Sequence, residues 1–336
     1  MGPRLKPLQP DERIAVAIPT KNRPAYLSAL LASLVGQSFQ NWMLIINDSS
    51  EPPVQEEGAI RDLLTLITSL GHPVQLIRTE SGWDRHQRAM EATPPEIELI
   101  VRIDDDVLPT PRFLEHLQRP FRLFADRPVA AVGGCLPEPH LQALDLDVAL
   151  IDTNWVPTVD EPSWRLQGHH YTTREVLEVE SLLGHSICYR RSALLAVGGW
   201  AVKGYSHHAY REETDACMRL RAAGYELLVT TEALAWHLLA LAGGSRSVEK
   251  TDRGVFVISD RAELRMDEVV FRMRLAELKR QGLSDRALKR YRIADLTVGR
   301  TRGFAMIGWA GRLKALARTW RRRLARVRQA LVRTPA

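Results

Sequence analysis

Ile97-Glu98-Leu99-Ile100-Val101-Arg102-Ile103-Asp104-Asp105-Asp106 is the stretch on which the reading of this chain turns. Five of its first seven residues are aliphatic. Such a near-continuous apolar run suits a strand buried on both faces of a parallel sheet. It runs straight into three carboxylates, and open α/β sheets bind ligands at the carboxyl ends of their strands. Three adjacent carboxylates repel one another, and burying them is costly unless a cation or hydrogen bonds compensate. Hard oxygen ligands suit Mg2+ or Mn2+, which in turn bind diphosphates. An isolated Asp-Asp-Asp is more often a solvated acidic turn. Its place between Ile97–Ile103 and Leu108-Pro109 favours the ligand reading.

Working outward, residues 13–135 alternate strands with helices. Ile14–Ile18 is a buried strand broken by Pro19 to Pro24, and Tyr26, Leu27, Leu30, Leu31 and Leu34 then follow helical spacing. Trp42–Ile46 is the next strand, ended by Asn47-Asp48-Ser49-Ser50; a helix follows over Val54–Leu70, a strand over Val74–Ile77 and a short helix over Asp84–Ala92. Thr110 caps the next helix, with Pro111 at its first position. Leu114, Leu117, Phe121 and Phe124 form its apolar stripe. Val129–Val132 is a strand ended by Gly133-Gly134. The alternation predicts a mostly parallel sheet under helices.

Residues 136–180 read as an irregular insertion, with Pro137, Pro139, Pro157, Pro162, Trp155 and Trp164. A strand (Ser186–Tyr189), a short helix (Ser192–Val197), a Gly198-Gly199 turn, a helix (Glu212–Ala223) stopped by Gly224 and a last strand (Glu226–Thr230) follow. From about Asp260 the pattern is helical and increasingly basic. The expected division is an N-terminal arm (1–12), two halves (13–135 and 136–250) and a helical basic extension (251–336).

At 336 residues, 45% hydrophobic and 26% charged, the chain can bury a core, and whole-chain disorder and fibrous repeats are excluded. No apolar run approaches the roughly 18 residues of a membrane span. Met1–Arg13 lacks the apolar region of a secretory signal. Cys135, Cys188 and Cys217 lie far apart, so reduced thiols and a cytoplasmic setting are the expectation. From Arg286 to Ala336 there are 15 Lys/Arg and one acid, a net of +14; the other 285 residues carry −8 of the overall +6. An acidic body therefore precedes a basic tail.

Four further groups are candidates for chemistry. Glu212-Glu213-Thr214-Asp215 opens a helix. Acids there are favoured by the helix dipole, which is a complete structural explanation, or one of them is a general base. Arg211 and Arg219 are their candidate partners. His237, in Ala235-Trp236-His237-Leu238, is a core histidine or a metal ligand. The Gly243-Gly244-Ser245-Arg246 loop after it is a simple turn or a lid carrying one cation. Asp48 ends a strand, where it accepts from a base or ribose hydroxyl or merely shapes the turn. Arg78, Arg85, His86 and Arg88 are candidate phosphate cations, each also readable as a surface residue. His169-His170 and His207-His208 lack metal-ligand spacing and read as surface or acceptor-site residues.

Taken in order, these pieces resemble family 2 glycosyltransferases of the GT-A fold, over about residues 13–246. The resemblance is carried by Val16–Pro24, Ile45–Ser50, Ile103–Asp106, Arg190–Ala193, Gly198–Trp200, Arg211–Tyr225 and Trp236-His237. It implies inverting transfer of a sugar from a nucleotide-diphosphate sugar to an acceptor hydroxyl, in glycan, polysaccharide or glycolipid synthesis. It implies that Pro19, Thr20, Asn22, Arg23, Asp48, Arg78, Arg85, Asp104, Asp105 and Arg246 bind the donor. Asp104 would lie near the ribose, and Asp106 and His237, with Asp104, would hold Mn2+ or Mg2+. Glu213 aligns with the family's base, with Asp215 and Glu212 beside it. Trp155, Trp164 and Tyr171 would shape the acceptor site, since aromatic faces stack on sugars. The chain departs from the family at Asn47, where an aspartate is usual, at His86-Gln87, where an arginine-asparagine pair is common, and at Glu212-Glu213, where Glu-Asp is usual.

Two other readings of the fold compete. One is a nucleotide-sugar-binding protein without turnover, against which the full carboxylate and histidine set argues. The other is a sugar-phosphate nucleotidyltransferase, which needs glycines where this chain has Pro-Thr-Lys-Asn-Arg-Pro. No GxGxxG follows any strand, which removes dinucleotide oxidoreductases. In the tail, Leu313, Leu316, Trp320, Leu324, Val327 and Leu331 face one side of a basic helix over 312–333. It suits an anionic membrane surface, placing the protein peripherally on the inner face, or it packs on the acidic body or on a second copy in a homo-oligomer. Nucleic acid ranks last, because no basic face on the body extends that surface.

Overall fold

The computed structural model describes residues 3, 5–9, 11–79, 84–136, 158–160, 165–167, 175–179, 181–182, 184–200, 204–206, 208–238, 240, 243–244, 248–250, 256–258, 261–281, 283 and 290–292. Trp155, Trp164, Tyr171, Arg246 and the 312–333 segment lie outside the described residues. Contacts group Met1–Ile293 as one compact unit and Ala294–Ala336 as another.

In chain order the elements are β1 (Ile14–Thr20), α1 (Pro24–Val35), β2 (Trp42–Asp48), α2 (Gly58–Ser69), β3 (Val74–Arg78), α3 (Arg85–Ala92), β4 (Leu99–Ile103), β5 (Val107–Pro109), α4 (Phe113–Leu123), β6 (Val129–Cys135), β7 (Thr158–Asp160), β8 (Arg165–Gln167), β9 (Glu175–Glu178), β10 (Ser186–Arg190), α5 (Arg191–Ala196), α6 (Glu212–Ala222), β11 (Glu226–His237), β12 (Val248–Lys250), β13 (Phe256–Ile258), α7 (Arg261–Arg280) and β14 (Arg290–Arg292). The main sheet runs β14-β9-β11-β6-β10-β4-β1-β2-β3, with β5 on the far half of β11. β3, β2, β1 and β4 are parallel. β10 is antiparallel to both β4 and β6, after which β6 and β11 are parallel again. The expected α/β architecture, a mostly parallel sheet flanked by helices, is what the chain adopts.

Strand periodicity explains why the central runs are apolar throughout. Successive side chains point to opposite faces of a sheet, and both faces here carry helices. Val16, Ile18, Leu44, Ile46 and Val101 pack with Leu27, Leu30 and Leu31 of α1 and Ile60 and Ile67 of α2. Ala15, Ala17, Ile45 and Ile100 belong to a second cluster with α3, α5 and α6. Full burial of one such aliphatic side chain contributes about 1.5–3 kcal/mol.

Four local expectations are corrected. The helix expected behind a Thr110 cap begins at Phe113, behind Arg112. The Thr110 hydroxyl instead donates to the Leu234 carbonyl at 2.7 Å, fastening β5 to β11. β6 does not stop at Gly133-Gly134 but runs through them to Cys135. A Cβ at Gly134 would stand 2.7 Å from the Ala233 carbonyl oxygen, so here glycine serves a close approach rather than a turn. β11 does not end at Thr230 but continues to His237, because β5 pairs with its second half. Finally, the region after Asp260 is not only helical. β14 adds a strand to the sheet edge beside β9, and α7 packs Phe271 and Leu275 against Tyr205, Ala209 and Met218.

Cys135, Cys188 and Cys217 are buried free thiols. Among the described residues no helix is long and apolar enough to cross a membrane.

Candidate active site

The pairing of β5 with β11 sets His237 opposite Val107, one residue beyond the aspartates. The Leu238 N–H also donates to the Asp106 carbonyl at 2.8 Å. Asp106 and His237, 131 positions apart in the chain, are thereby neighbours: His237 Nε2 lies 3.6 Å from Asp106 Oδ1. The other Asp106 oxygen accepts from the Ala240 N–H at 3.0 Å and from Arg23 at 3.2 Å. Burial pushes the Asp106 pKa up, but the His237 contact and the nearby cations outweigh it, and the net shift is downward.

The three aspartates face different partners. Asp104 accepts from His185 Nδ1 at 3.0 Å, with Arg102 at 3.9 Å. Burial opposes its ionisation, but His185 and Arg102 hold the carboxyl far below the usual range. Asp105 accepts from the Thr20 hydroxyl at 2.8 Å and from Arg23 at 3.0 Å. Burial dominates there and pushes its pKa up to about 6 against the pull of Arg23. Hydrogen bonds to protein groups thus supply most of the compensation that adjacent buried carboxylates require.

Arg23 also ties the sheet edge to the loop after β11. Its second terminal nitrogen donates to the carbonyls of Ala240 and Gly243, at 3.0 and 3.4 Å, and the Gly244 N–H donates to Lys21 at 2.8 Å. Pro19 and Thr20 close β1 opposite Asn47 and Asp48. Asn22 is left-handed (φ 54°); its N–H donates to Ser50 Oγ and its side-chain oxygen accepts from the Glu51 N–H. Asp48 accepts from the N–H groups of Ser50 and Val54, at 2.8 and 3.0 Å, and from Arg78 at 2.6 Å. In this structure Asp48 and Arg78 organise the loop after β2.

The other candidate phosphate cations also have internal partners. Arg88 pairs with Asp84. Arg85 and His86 reach Glu212 at 3.0 and 3.1 Å, and Arg102 reaches the same oxygen at 3.2 Å. His86 does not fit the role of a cation: burial and the adjacent Arg102 lower its pKa to about 4. His208 is likewise not at the surface but is buried, 3.5 Å from Glu263.

The acids opening α6 occupy three different settings. Glu212 is 1% exposed and serves as the hub for those three basic side chains. Burial raises its pKa, but Arg85, His86 and Arg102 more than reverse this, to about 2. Asp215, also 1% exposed, is held by Arg219 at 2.6 Å, Tyr205 at 3.1 Å and Arg274 at 3.3 Å. Glu213 is half-buried, and among the described residues its carboxylate makes no hydrogen bond or ion pair. It lies against Gly184, where an added Cβ would stand 3.1 Å from its carboxyl carbon. Arg219 is a partner of the acids as expected; Arg211 instead turns to Glu268 of α7 at 3.1 Å.

Two residues of this site went unread in the sequence. Arg102 is a charge inside an otherwise aliphatic strand, and the rule that buried charges are paired marks it as needing a carboxylate partner. His185 stacks on His237, ring centroids 3.9 Å apart, and bonds Asp104 across 81 positions of sequence, for which no local signal exists.

Among the described residues no three of His, Cys, Asp and Glu converge as a ready-made metal cage. Asp106 Oδ1 and His237 Nε2 offer two donors. A carboxylate beside an imidazole fits Mg2+ or Mn2+ that draws its remaining ligands from a diphosphate and water.

Residues 15–154 match the model of glycosyl transferase family 2, under half of the chain. No curated protein matches by sequence. Among solved structures, GalNAc-T7 with UDP, GalNAc and Mn2+ is similar at TM-score 0.51 and 11% identity, over 68% of this chain and 44% of that one. S. aureus TarS aligns at TM-score 0.44 and 12% identity over 68% of this chain and 37% of that one; its 1-349 fragment aligns at 0.45 and 14%, over 67% and 60%. This chain therefore spans 37–60% of the length of these three solved chains, and the likeness to GalNAc-T7 concerns the fold. The matched segment contains β1, β2, β4 and the three aspartates, so residues 15–154 are similar in sequence to glycosyl transferase family 2, and the chain carries a GT-A fold.

Proposed function

We propose that this protein is an inverting glycosyltransferase that moves a sugar from a nucleotide-diphosphate sugar to an acceptor hydroxyl. The observation that carries the reading is the Asp106–His237 pair at 3.6 Å, built at the carboxyl end of the sheet by the β5–β11 pairing. In this reading Asp106 and His237 hold Mg2+ or Mn2+, with Asp104 near the ribose. A divalent cation there neutralises the charge that builds on the departing diphosphate. Pro19, Thr20, Asn22, Arg23, Asp48, Arg78, Arg85, Asp105 and Arg246 line the donor. Arg23, bridging Asp105 and Asp106, keeps a fixed positive charge beside the carboxylates.

Glu213 is the base. Its carboxylate accepts the acceptor's hydroxyl proton as the oxygen forms a bond to the anomeric carbon. The anomeric carbon–oxygen bond to the diphosphate breaks on the opposite face, and the nucleoside diphosphate leaves. Its half-buried, unsequestered setting supports this role over Glu212 and Asp215, whose carboxylates are committed to basic side chains. Trp155, Trp164 and Tyr171 shape the acceptor site. The acceptor is a sugar or a lipid-linked acceptor, reached with the basic 312–333 segment on an anionic membrane surface at the cytoplasmic face.

Thermal unfolding with UDP, GDP, dTDP and CDP, with and without Mn2+, tests the reading. A ligand at 100 times its Kd adds about 2.7 kcal/mol of stability. One nucleotide is expected to shift Tm in a Mn2+-dependent way that Asp106→Ala removes. No shift with any nucleotide, together with no release of nucleotide from a panel of donor sugars, rejects the reading.

A further inference from the structure

We infer that the Gly184-His185 turn is the positioning device of this site: His185 fixes Asp104 and the His237 ring, and Gly184 leaves the space that the Glu213 carboxyl occupies. The inference rests on the glycosyltransferase reading and deepens it.

The placement follows from register. β10 runs antiparallel to β4 with Ser186 opposite Ile103, so the two residues before Ser186 lie beside the aspartates that follow Ile103. The backbone closes first: the Asp104 N–H donates to the His185 carbonyl at 3.0 Å. The side chain closes the same contact, His185 Nδ1–H donating to Asp104 Oδ2 at 3.0 Å. With its ring fixed by that bond, His185 stacks on His237 at 3.9 Å between centroids and 27° between planes. A stacked imidazole cannot turn freely about its Cβ–Cγ bond, so the stack sets the direction in which His237 Nε2 faces Asp106.

The other half of the turn faces the acid helix. A Cβ at Gly184 would stand 3.1 Å from the Glu213 carboxyl carbon and 3.3 Å from an Arg102 terminal nitrogen. Both are closer than ordinary contact, so a side chain there displaces Glu213, Arg102 or both. One two-residue turn therefore touches both ends of the proposed reaction, the metal pole and the base. Partners of this kind, which orient a ligand without binding the metal, typically carry 10- to 100-fold in metal affinity.

The test uses the full chain and four variants. Mn2+ affinity is read from the electron paramagnetic resonance of free Mn2+, alongside UDP, GDP, dTDP and CDP in turn; kcat and KM are read by nucleotide release. His185→Ala is expected to weaken Mn2+ binding by about tenfold or more. His185→Asn, which keeps a donor toward Asp104, and His185→Phe, which keeps a stacked ring, are each expected to recover part of the loss. Gly184→Ala is expected to lower kcat at least tenfold with Mn2+ affinity held within threefold. Wild-type Mn2+ affinity in His185→Ala overturns the inference, as does a Gly184→Ala variant that loses metal binding and kcat together. A wild-type protein that binds no nucleotide with Mn2+ overturns the underlying reading as well, whereas an active wild type with an indifferent His185→Ala overturns the inference alone.

Discussion

Asp267 of α7 grips Ser206 twice: one carboxylate oxygen accepts the Ser206 N–H at 2.6 Å and the other accepts the Ser206 hydroxyl at 2.8 Å. The second oxygen also accepts the Tyr210 N–H at 2.8 Å. Asp267 is fully buried, so its carboxylate depends on these half-buried donors for its hydrogen bonds. The segment it holds leads directly into Arg211, whose left-handed φ of 75° starts the helix bearing Glu213. Leaving a buried donor unpaired costs about 1–3 kcal/mol. We expect Asp267→Ala to destabilise the protein by about 3 kcal/mol, lowering Tm by about 5–10 °C, and to reduce kcat more than it alters donor KM. Calorimetry with steady-state kinetics checks this; an unchanged Tm would remove the gripping role.

The Glu212 hub makes acid stability predictable in sign. Glu212 has a folded pKa near 2, below its ordinary 4.5, so its contribution is present above pH 4.5 and is lost as pH falls through 4.5 toward 2. His86 has a folded pKa near 4, below 6.5, because burial excludes the cation. Its contribution is complete above pH 6.5 and is lost as pH falls toward 4. Asp105 works the other way: its folded pKa of about 6 lies above its ordinary 3.8, so its protonation offsets much of the His86 loss between pH 6 and pH 4, and unfolding free energy from urea titrations should decline chiefly below pH 4.5, through Glu212. Glu212→Gln should cost about 3–5 kcal/mol at pH 7, since it removes the buried carboxylate charge that Arg85 and Arg102 share, and should flatten the limb below pH 4.5. An equally steep limb in that variant would assign the acid loss to other groups.

Among the described residues Glu213 makes no ion pair, unlike Glu212 and Asp215, and that difference decides the next experiment. Removing a general base costs about 10²–10⁴ in rate. Glu213→Gln is expected to lower kcat by that range while the Tm shift from the bound nucleotide stays at the wild-type value. Glu212→Gln and Asp215→Asn, which disturb ion pairs, are expected to lower Tm first. If Glu213→Gln turns over normally and Asp215→Asn does not, the base is Asp215.

What could be read from sequence was what is written locally. The β4 run into Asp104–Asp106 and the acids of α6 carry their periodicity and chemistry within ten residues. The placement of His237 did not, because β11 continues past Thr230 only where β5 pairs with it. Gly133-Gly134 looks like a strand end, yet both glycines lie inside β6, making room for Leu182 and Ala233. His185 is an ordinary histidine until β10 sets it beside Asp104. The α7 segment reads as a basic helix on a tail, and only the buried Asp267 and Phe271 show that one face supports α6.

The loop after β11 offers a last test, at Gly243. Its φ of 71° is in the left-handed region, and a Cβ there would stand 2.6 Å from the Asn22 carbonyl oxygen and 2.8 Å from that of Lys21. Alanine meets rigid backbone on both counts, with about 1–2 kcal/mol of left-handed strain besides. Gly243→Ala should therefore lift the loop from the β1–α1 connection, costing the Gly244–Lys21 and Gly243–Arg23 hydrogen bonds. Arg23 would keep its aspartates, and the core clusters would not change. We expect Tm to fall by only about 2–4 °C, amide exchange near Gly244 to quicken, and donor KM to rise several-fold with kcat nearly held. Exchange and KM at wild-type values would mean that the loop's seat on Arg23 has no part in holding the donor.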